Sequence, residues 1–508
     1  MSREAEYDVV VIGGGLGGLI CGALLSRYGK RVVVLEKNHQ IGGNLQVFSR
    51  DKVIFDTGVH YIGALAKGNN LDRFFKFLGI REGLNLVRMD VDAADRIHFG
   101  NEDKFYPIAQ GYDNFSKQLT TVFPESKAEI EGYCRLIQDV CSAFPLYNLR
   151  YDQADYFSSD FFTTSLQEML EKTISNKRLR EVLTGNSLLY GANAEITPFY
   201  VHALVVDGYI RSAHRCVKGS SQIAKLLVKN IRENGGEVLK RAEVEKCEIE
   251  QGRVAAVCLT DGRRIKGLDF ISSLHPKASI RLVGEANFRK AFVSRITTLT
   301  DTQSAFSVHI KFKPGSFPYL NYNIYHHKTP EGVWKAKGKV DESWPCTLMV
   351  SMTVPDTDSN YAEAASVLTY MDYAEVKPWE TSFNTVALPG ERPDSYYRFK
   401  KRCEERVLDE LEVVFPEIRE KIESVYSSTP LTYKNYIGDL TGSMYGIQKN
   451  ADNPVATMVD PRTKIPNFFL TGQSINLHGI IGVTVSAFAT CMHLIDGKTL
   501  IEDLNRIN

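Results

Sequence analysis

The stretch from Tyr7 to Glu36 constrains the fold of this chain more than any other. Tyr7 to Ile12 reads YDVVVI, a short run rich in β-branched residues, as expected of a central parallel strand buried on both faces. Gly13-Gly14-Gly15-Leu16-Gly17-Gly18 follows and satisfies G-x-G-x-x-G. A helical pattern then carries Leu19, Ala23, Leu24 and Leu25 and ends near Gly29. Arg31 to Glu36, RVVVLE, predicts a second strand closing on an acid. Strand, glycine turn, helix, strand and terminal acid, in that order, make one βαβ unit of the dinucleotide-binding kind.

Each position has a physical reason. Gly13 permits the tight turn from strand to helix. Gly15 lacks a Cβ, so a pyrophosphate can approach the backbone, and Gly18 allows the helix to pack closely on the strand. The N–H groups at the helix start, around Leu16 and Gly17, favour a phosphate, as does the helix dipole. Glu36, with Lys37 beside it, is placed to accept hydrogen bonds from ribose hydroxyls and would repel a 2′-phosphate, which excludes NADP as the first nucleotide. Glycine is 38 of the 508 residues, so three glycines at fixed offsets arise by chance about 0.2 times in such a chain. The ordered context therefore carries the signal.

The length predicts several domains. Lys+Arg and Asp+Glu are both 61, which gives no basic excess for a nucleic-acid partner. Nine cysteines without a Cys-x-x-Cys pair argue against a disulfide framework or a structural zinc; most are expected to be small buried hydrophobes. His326 and His327 are adjacent and point apart in a strand, and there is no His-Glu-x-x-His, so no metal is expected. The apolar stretch Ile475 to Ile495 is broken by Thr484 and Ser486 and reads as a buried helix with its entry loop, not a membrane span. A strand starting at Tyr7 leaves no room for a signal peptide.

Further blocks sharpen the reading. Gly42-Gly43-Asn44 is followed by Phe55-Asp56-Thr57-Gly58-Val59-His60-Tyr61-Ile62-Gly63. Near the C-terminus come Gly442-Ser443-Met444-Tyr445-Gly446, Phe469-Leu470-Thr471-Gly472-Gln473 and Gly479-Ile480-Ile481-Gly482-Val483. In these blocks the sequence resembles the FAD-dependent superfamily of phytoene desaturases, carotenoid (prolycopene) isomerases and all-trans-retinol saturases, and FDTGVHYIG is most similar to the retinol saturases. The resemblance implies one non-covalent FAD. It places Gly42, Gly43 and Asn44 along the cofactor's phosphates and ribityl chain, and Thr57, Gly58, Val59 and His60 beside its ring. Gly472, Gln473, Gly482 and Val483 fall near the pyrimidine edge, and Val244 at the adenine. Asn44 stands where many relatives have Arg, and Ser474 where many have an acid. No cysteine lies between Thr429 and Gly446, which excludes a covalent link there.

The expected architecture is α/β, a discontinuous Rossmann-like FAD-binding domain of the glutathione-reductase and amine-oxidase type with an inserted α+β substrate domain. Residues 1–85, 217–285 and 435–508 are assigned to the first, 86–216 and 286–434 to the second. Within the middle FAD piece, Ser221–Asn234 reads as a helix, Val244–Ile249 and Val254–Leu259 as a hairpin, and Phe270–Ser273 as a short strand. Phe157, Phe161, Leu166 and Met169 have roughly helical spacing, read as a cap helix packed on a core rather than a tunnel wall.

The function implied is an FAD-dependent oxidoreductase acting on C=C bonds of a long apolar polyene or isoprenoid, by retinol saturase-like reduction. A carotenoid cis–trans isomerase or a desaturase would use the same flavin site, an amine oxidase is a more distant reading, and a flavin-binding carrier without turnover a further one. His60 and Tyr61 are the first candidates for proton donor and Tyr445 the third; all three also fit a supporting role in loop or tunnel wall. A second G-x-G-x-x-G unit is missing, so electrons would come from an external donor or acceptor that the sequence does not name. A cytoplasmic location is expected, with peripheral membrane contact because polyenes partition into lipid, although no polybasic cluster or lipidation motif is present.

Overall fold

The computed structural model describes residues 6–152, 159–335, 338–355, 359–386 and 388–507. The run YDVVVI forms the strand Tyr7–Ile12, and Val32–Glu36 lies parallel to it. Val9 and Val11 face one apolar cluster with Val32 and Val34, while Val10 and Ile12 face another with Val33 and Leu35. Burial on both faces is why the run is continuous rather than alternating. Glu237–Lys240, Val32–Glu36, Tyr7–Ile12, Arg264–Ser272 and Phe468–Leu470 lie side by side in that order, all parallel.

The helix after the glycines spans Leu16–Arg27 and packs against Gly479–Cys491, the helix expected within Ile475–Ile495. Ser221–Glu233 is helical as predicted, and Val244–Glu250 and Arg253–Leu259 form the hairpin. The expected short strand at Phe270 is a correction. Asp261-Gly262 closes a second hairpin, so the strand begins at Arg264 and runs to Ser272. Its first half pairs antiparallel with Arg253–Leu259 and its second half parallel with Tyr7–Ile12.

A second, mixed sheet draws on residues both before and after the Val244–Ser272 hairpins. Its order is Ile422–Ser428, Ser304–Phe312, Ala364–Met371, Thr347–Met352, Asn323–His327, Asp95–Phe99 and Phe105–Ile108. The long helix Asp394–Val414 covers one face, where Phe306, Val308 and Ile310 meet Val407, Leu408 and Leu411. Toward the other face Tyr325, Met349, Leu368 and Tyr370 join a cluster built on the helices Lys127–Ser142 and Phe199–Arg211. In that cluster Leu166 is fully buried and Phe161 and Met169 pack at its edge; Phe157 lies outside the described residues. A small sheet of Ile62–Gly63, Ala213–Cys216 and Leu86–Arg88 sits between these parts of the chain.

Seven of the nine cysteines are buried and none is paired. His326 and His327 face apart, the first toward Glu410 and the second toward the Gly185 carbonyl. Among the described residues no helix is long and apolar enough to cross a membrane.

Candidate active site

A cavity of about 470 Å³ is lined by residues of both large sheets. One end is made of backbone. Gly13 adopts φ +100° and its N–H donates to the Leu35 carbonyl, 2.8 Å away. Gly15 is the N-cap of the Leu16–Arg27 helix and offers no side-chain cap, nor does the first turn hold an acid, so the leading N–H groups are left for something in the cavity. A Cβ on Gly15 would meet only the Ser273 hydroxyl, at 3.9 Å, and otherwise occupy open space. Gly17 lies against the C-terminal block: its Cβ would stand 3.3 Å from Gly472 Cα and 3.4 Å from Val483 Cγ1.

Gly42 and Gly43 take φ +126° and +56°. The Gly42 N–H donates to the Gly14 carbonyl at 2.9 Å, and a Cβ on Gly43 would approach Gly15 Cα to 3.1 Å. The double glycine is thus laid directly on the first turn. Glu36 is buried, and its two carboxylate oxygens accept from the N–H groups of Gly14 (2.9 Å) and Asn38 (2.8 Å). Burial raises its pKa against those donors. Lys37 donates to the Asn435 carbonyl near the C-terminal end of the helix Pro430–Ile437. Val244 joins this end beside Ala242, whose N–H donates to the Glu36 carbonyl.

The FDTGVHYIG block forms one wall. Asp56 accepts from the N–H (2.8 Å) and hydroxyl (2.7 Å) of Ser220, at the start of the Ser221–Glu233 helix. Burial nonetheless raises its carboxyl to about 6. Thr57 donates its hydroxyl to the Gln46 carbonyl, and Gly58 stands against the side chain of Asn44. Thr57, Gly58, Val59, His60 and Tyr61 all line the cavity, as do Asn44, Gly472, Gln473, Val483 and Tyr445. Gly18 and Gly482 are not among the lining residues; for Gly18 this is the close helix–strand packing expected of it, whereas Gly482 stands behind the wall rather than in it. A Cβ on Gly18 would fall 2.1 Å from the Gly13 carbonyl oxygen, and one on Gly482 2.7 Å from the Leu477 carbonyl carbon. Both act by close packing behind the cavity.

The three proton-donor candidates differ in what their polar atoms do. His60 Nε2 is buried without a partner, and burial, with Arg215 nearby, lowers the imidazole to about 4. Tyr61 meets Tyr325 Oη at 2.7 Å and donates to Asp95 at 3.0 Å. Burial raises its phenol well above the usual range. The Tyr445 hydroxyl donates to the Leu188 carbonyl, and its ring lies 4.8 Å from that of His478.

Two groups of residues escape local sequence reasoning. Asp95, Asn186, Arg215, Asn323 and Tyr325 gather behind Tyr61 from three strands and a turn. Lys449 is 4% exposed and donates to the carbonyls of Thr457 (2.8 Å), Ile475 (3.1 Å) and Ser474 (3.4 Å), fastening the loop that carries Gly472 and Gln473. The segment around it carries Gln448, Asn450, Asp452 and Asn453, so nothing in the sequence sets this lysine apart as buried.

A glycine turn over an uncapped helix start, a buried acid ending the second strand and a second sheet closing the cavity define a dinucleotide-dependent oxidoreductase. A solved structure of an oxidoreductase from Methanosarcina mazei has the same fold, with a TM-score of 0.64 at 17% identity, covering 95% of this chain and 99% of that one. The model of the family of flavin containing amine oxidoreductases matches residues 16–495, and the chain belongs to that family. It is an enzyme, a flavin-dependent oxidoreductase, and its cofactor is FAD. All-trans-retinol 13,14-reductase of Macaca fascicularis is 28% identical over 99% of this chain and 88% of its own length. Chloroplastic prolycopene isomerase of Arabidopsis thaliana is 24% identical over 99% and 85%. The resemblance read from the sequence blocks is borne out.

The residues present fit FAD. Gly15 keeps a cradle that a Cβ would fill, the helix start keeps unpaired N–H groups, and His60 Nε2 is an orphaned polar atom in the wall. No cysteine is among the lining residues, so no thiol is offered there for a covalent link.

Proposed function

We propose that this enzyme reduces a C=C bond of a long apolar polyene or isoprenoid. The observation that carries the reading is the apolar part of the cavity lining, contributed by the second sheet and its neighbouring segments. Leu189, Tyr209, Met349, Leu368, Tyr433 and Met444 form it, with Met349 and Leu368 directly opposite each other on neighbouring strands. The Asp439 carboxylate, also in the cavity lining, is taken up by the N–H and hydroxyl groups of Thr441 and Ser443. An apolar chain loses nothing on entering such a space, whereas a charged amine would be desolvated without a free carboxylate to meet it. The amine-oxidase reading is therefore the weaker one.

The glycine turn with Leu16 and Gly17 would hold the diphosphate of FAD, Glu36 and Lys37 the ribose end, and Val244 the adenine. Gly42, Gly43 and Asn44 would follow the chain between, and Thr57 to His60 with Gly472, Gln473 and Val483 would meet the ring. Bound and reduced, FAD supplies a hydride. The protein must then supply a proton to the neighbouring carbon. His60, lowered to about 4, is neutral near pH 7 and carries no proton to spare as imidazolium. Tyr61 keeps its phenolic proton at every ordinary pH and lines the cavity, so it is the proton donor in this reading. Tyr445 is a wall of the substrate end. Electrons reach the flavin from an external reductant, and a substrate that partitions into lipid brings the enzyme into peripheral contact with a membrane from the cytoplasm.

The similarity to a prolycopene isomerase supports a second reading, cis–trans isomerisation without net redox change. Product mass separates the two. Reduced enzyme given all-trans-retinol or cis-carotenoids should yield a product heavier by two hydrogens; an isomer of unchanged mass would replace the first reading with the second.

A further inference from the structure

Behind the cavity wall lies a buried polar network. Tyr61 is part of the wall, but its hydroxyl meets two groups that do not line the cavity, Tyr325 Oη at 2.7 Å and Asp95 Oδ2 at 3.0 Å. Asp95 is 1% exposed. Its Oδ1 accepts from Asn323 Nδ2 at 2.9 Å and its Oδ2 also from Asn186 Nδ2 at 3.3 Å. Arg215, equally buried, donates to Asn323 Oδ1 at 2.8 Å and to the carbonyls of Leu320 and Tyr322. The titratable and charged groups facing Asp95 are thus Tyr61, Tyr325, Tyr209 and Arg215.

Proton bookkeeping allows two arrangements. With Asp95 ionised, Tyr61 must donate to it, Tyr325 donates to Tyr61, and no phenolic proton of Tyr61 is left for the cavity. With Asp95 protonated on Oδ2, the carboxyl donates to Tyr61, and the Tyr61 proton is released to point elsewhere. Asn186, Asn323 and Arg215 stabilise the carboxylate that remains when the proton has gone.

We propose that Asp95 is the positioning residue that makes Tyr61 a proton donor, its carboxyl proton both freeing the Tyr61 hydroxyl and replacing the proton that Tyr61 gives up. The proposal rests on the C=C reduction read above. In the step, the π bond of the substrate breaks and two C–H bonds form, one with the hydride from reduced FAD and one with the Tyr61 proton. The Tyr61 O–H bond breaks as the Asp95 O–H proton moves onto the phenolic oxygen. Asp95 ends as carboxylate and regains a proton from water once product has left. The flavin is oxidised by two electrons, and a further external reductant restores it. Burial lifts Asp95 to about 6 despite three side-chain donors and Arg215, which keeps the protonated form populated under mildly acidic conditions. Burial equally opposes a lone Tyr61 phenolate, so the two proton movements belong to one step.

The test uses full-length, FAD-loaded enzyme and Asp95→Asn, which keeps the side chain's size. Infrared spectra of the oxidised wild type across roughly pH 5 to 8 should contain a protonated-carboxyl band that titrates near 6 and is missing from D95N. A wild type without the band, or a variant that keeps it, overturns the proposal, and this readout needs no turnover. In single turnovers of pre-reduced enzyme with all-trans-retinol, the wild-type rate should fall as pH rises through that titration. D95N should lose this pH step and turn over about 10² to 10⁴ times more slowly, with KM little changed. Wild-type turnover matched by D95N overturns the relay alone. A wild type that forms no dihydro product overturns the reduction reading and, with it, the relay as a step of that reaction.

Discussion

The carboxylate of Glu36 accepts a hydrogen bond from the N–H of Gly14 at 2.9 Å, which ties the end of the second strand to the glycine turn 22 residues earlier. One more lone pair on each oxygen remains for a ligand hydroxyl. Glu36→Gln keeps the volume but removes the charge, and a hydrogen bond to a charged acceptor is worth roughly 1.5–3 kcal/mol. FAD affinity, measured by flavin fluorescence titration of the apoprotein, should fall about 10- to 100-fold. Unchanged affinity would remove Glu36 from the cofactor site.

Gly15 and Gly18 predict opposite phenotypes. A Cβ at Gly15 enters the cavity, whereas one at Gly18 meets the Gly13 carbonyl oxygen at 2.1 Å. Gly15→Ala should leave the thermal unfolding of the apoprotein unchanged and weaken FAD binding about 100-fold, ~2.8 kcal/mol. Gly18→Ala should lower the stability of the apoprotein itself by about 3 kcal/mol, the upper range for over-packing. Calorimetry with and without FAD distinguishes the two.

How much of this was legible in the sequence follows from how local each feature is. The βαβ unit was readable because strand, turn and helix signals fall within consecutive residues, and each glycine has a steric reason visible in its neighbours. Gly18 packs the helix on the strand as its motif position implies, whereas Gly482, one residue before the lining Val483, packs behind the cavity against Leu477, a contact the block's sequence does not reveal. Phe270 concealed a strand starting at Arg264 because the first half, with Arg264, Lys266, Gly267 and Asp269, is part-exposed, and only Phe270–Ser272 is buried on both faces. The network around Asp95 could not be read at all. Its members are spaced along the chain from Tyr61 to Tyr325 and meet only through the second sheet and the small one beside it. Tyr61 was therefore found, and the groups that set its chemistry were not.

Lys449 predicts a pH dependence. Burial, with Arg295 nearby, lowers its ammonium from 10.5 to about 7. Between these values the unfolded chain holds a proton that the folded chain does not, so stability rises with pH from about 7 toward 10.5 and is lost as pH falls back. Lys449→Met should flatten that slope in urea unfolding at fixed ionic strength. It also removes three donors from the loop of Gly472 and Gln473, so FAD should dissociate faster. A slope identical in variant and wild type would refute the lowered value.

Tyr61→Phe should reduce the rate of flavin reoxidation by substrate about 10²- to 10⁴-fold, the usual contribution of a positioned acid, while leaving FAD content unchanged. His60→Gln should change the rate far less and leave its pH profile in place between about 5 and 8, because His60 does not take up a proton until about 4. A larger loss for H60Q than for Y61F would exchange their roles.

The most direct test is the product itself. The flavin is reduced anaerobically, all-trans-retinol is added in detergent, and flavin absorbance and product mass are followed together. Reoxidation of one flavin per substrate, with a product heavier by two hydrogens, is the predicted result. Flavin that stays reduced while the substrate is recovered at unchanged mass, isomerised or not, would contradict the assignment as a C=C reductase.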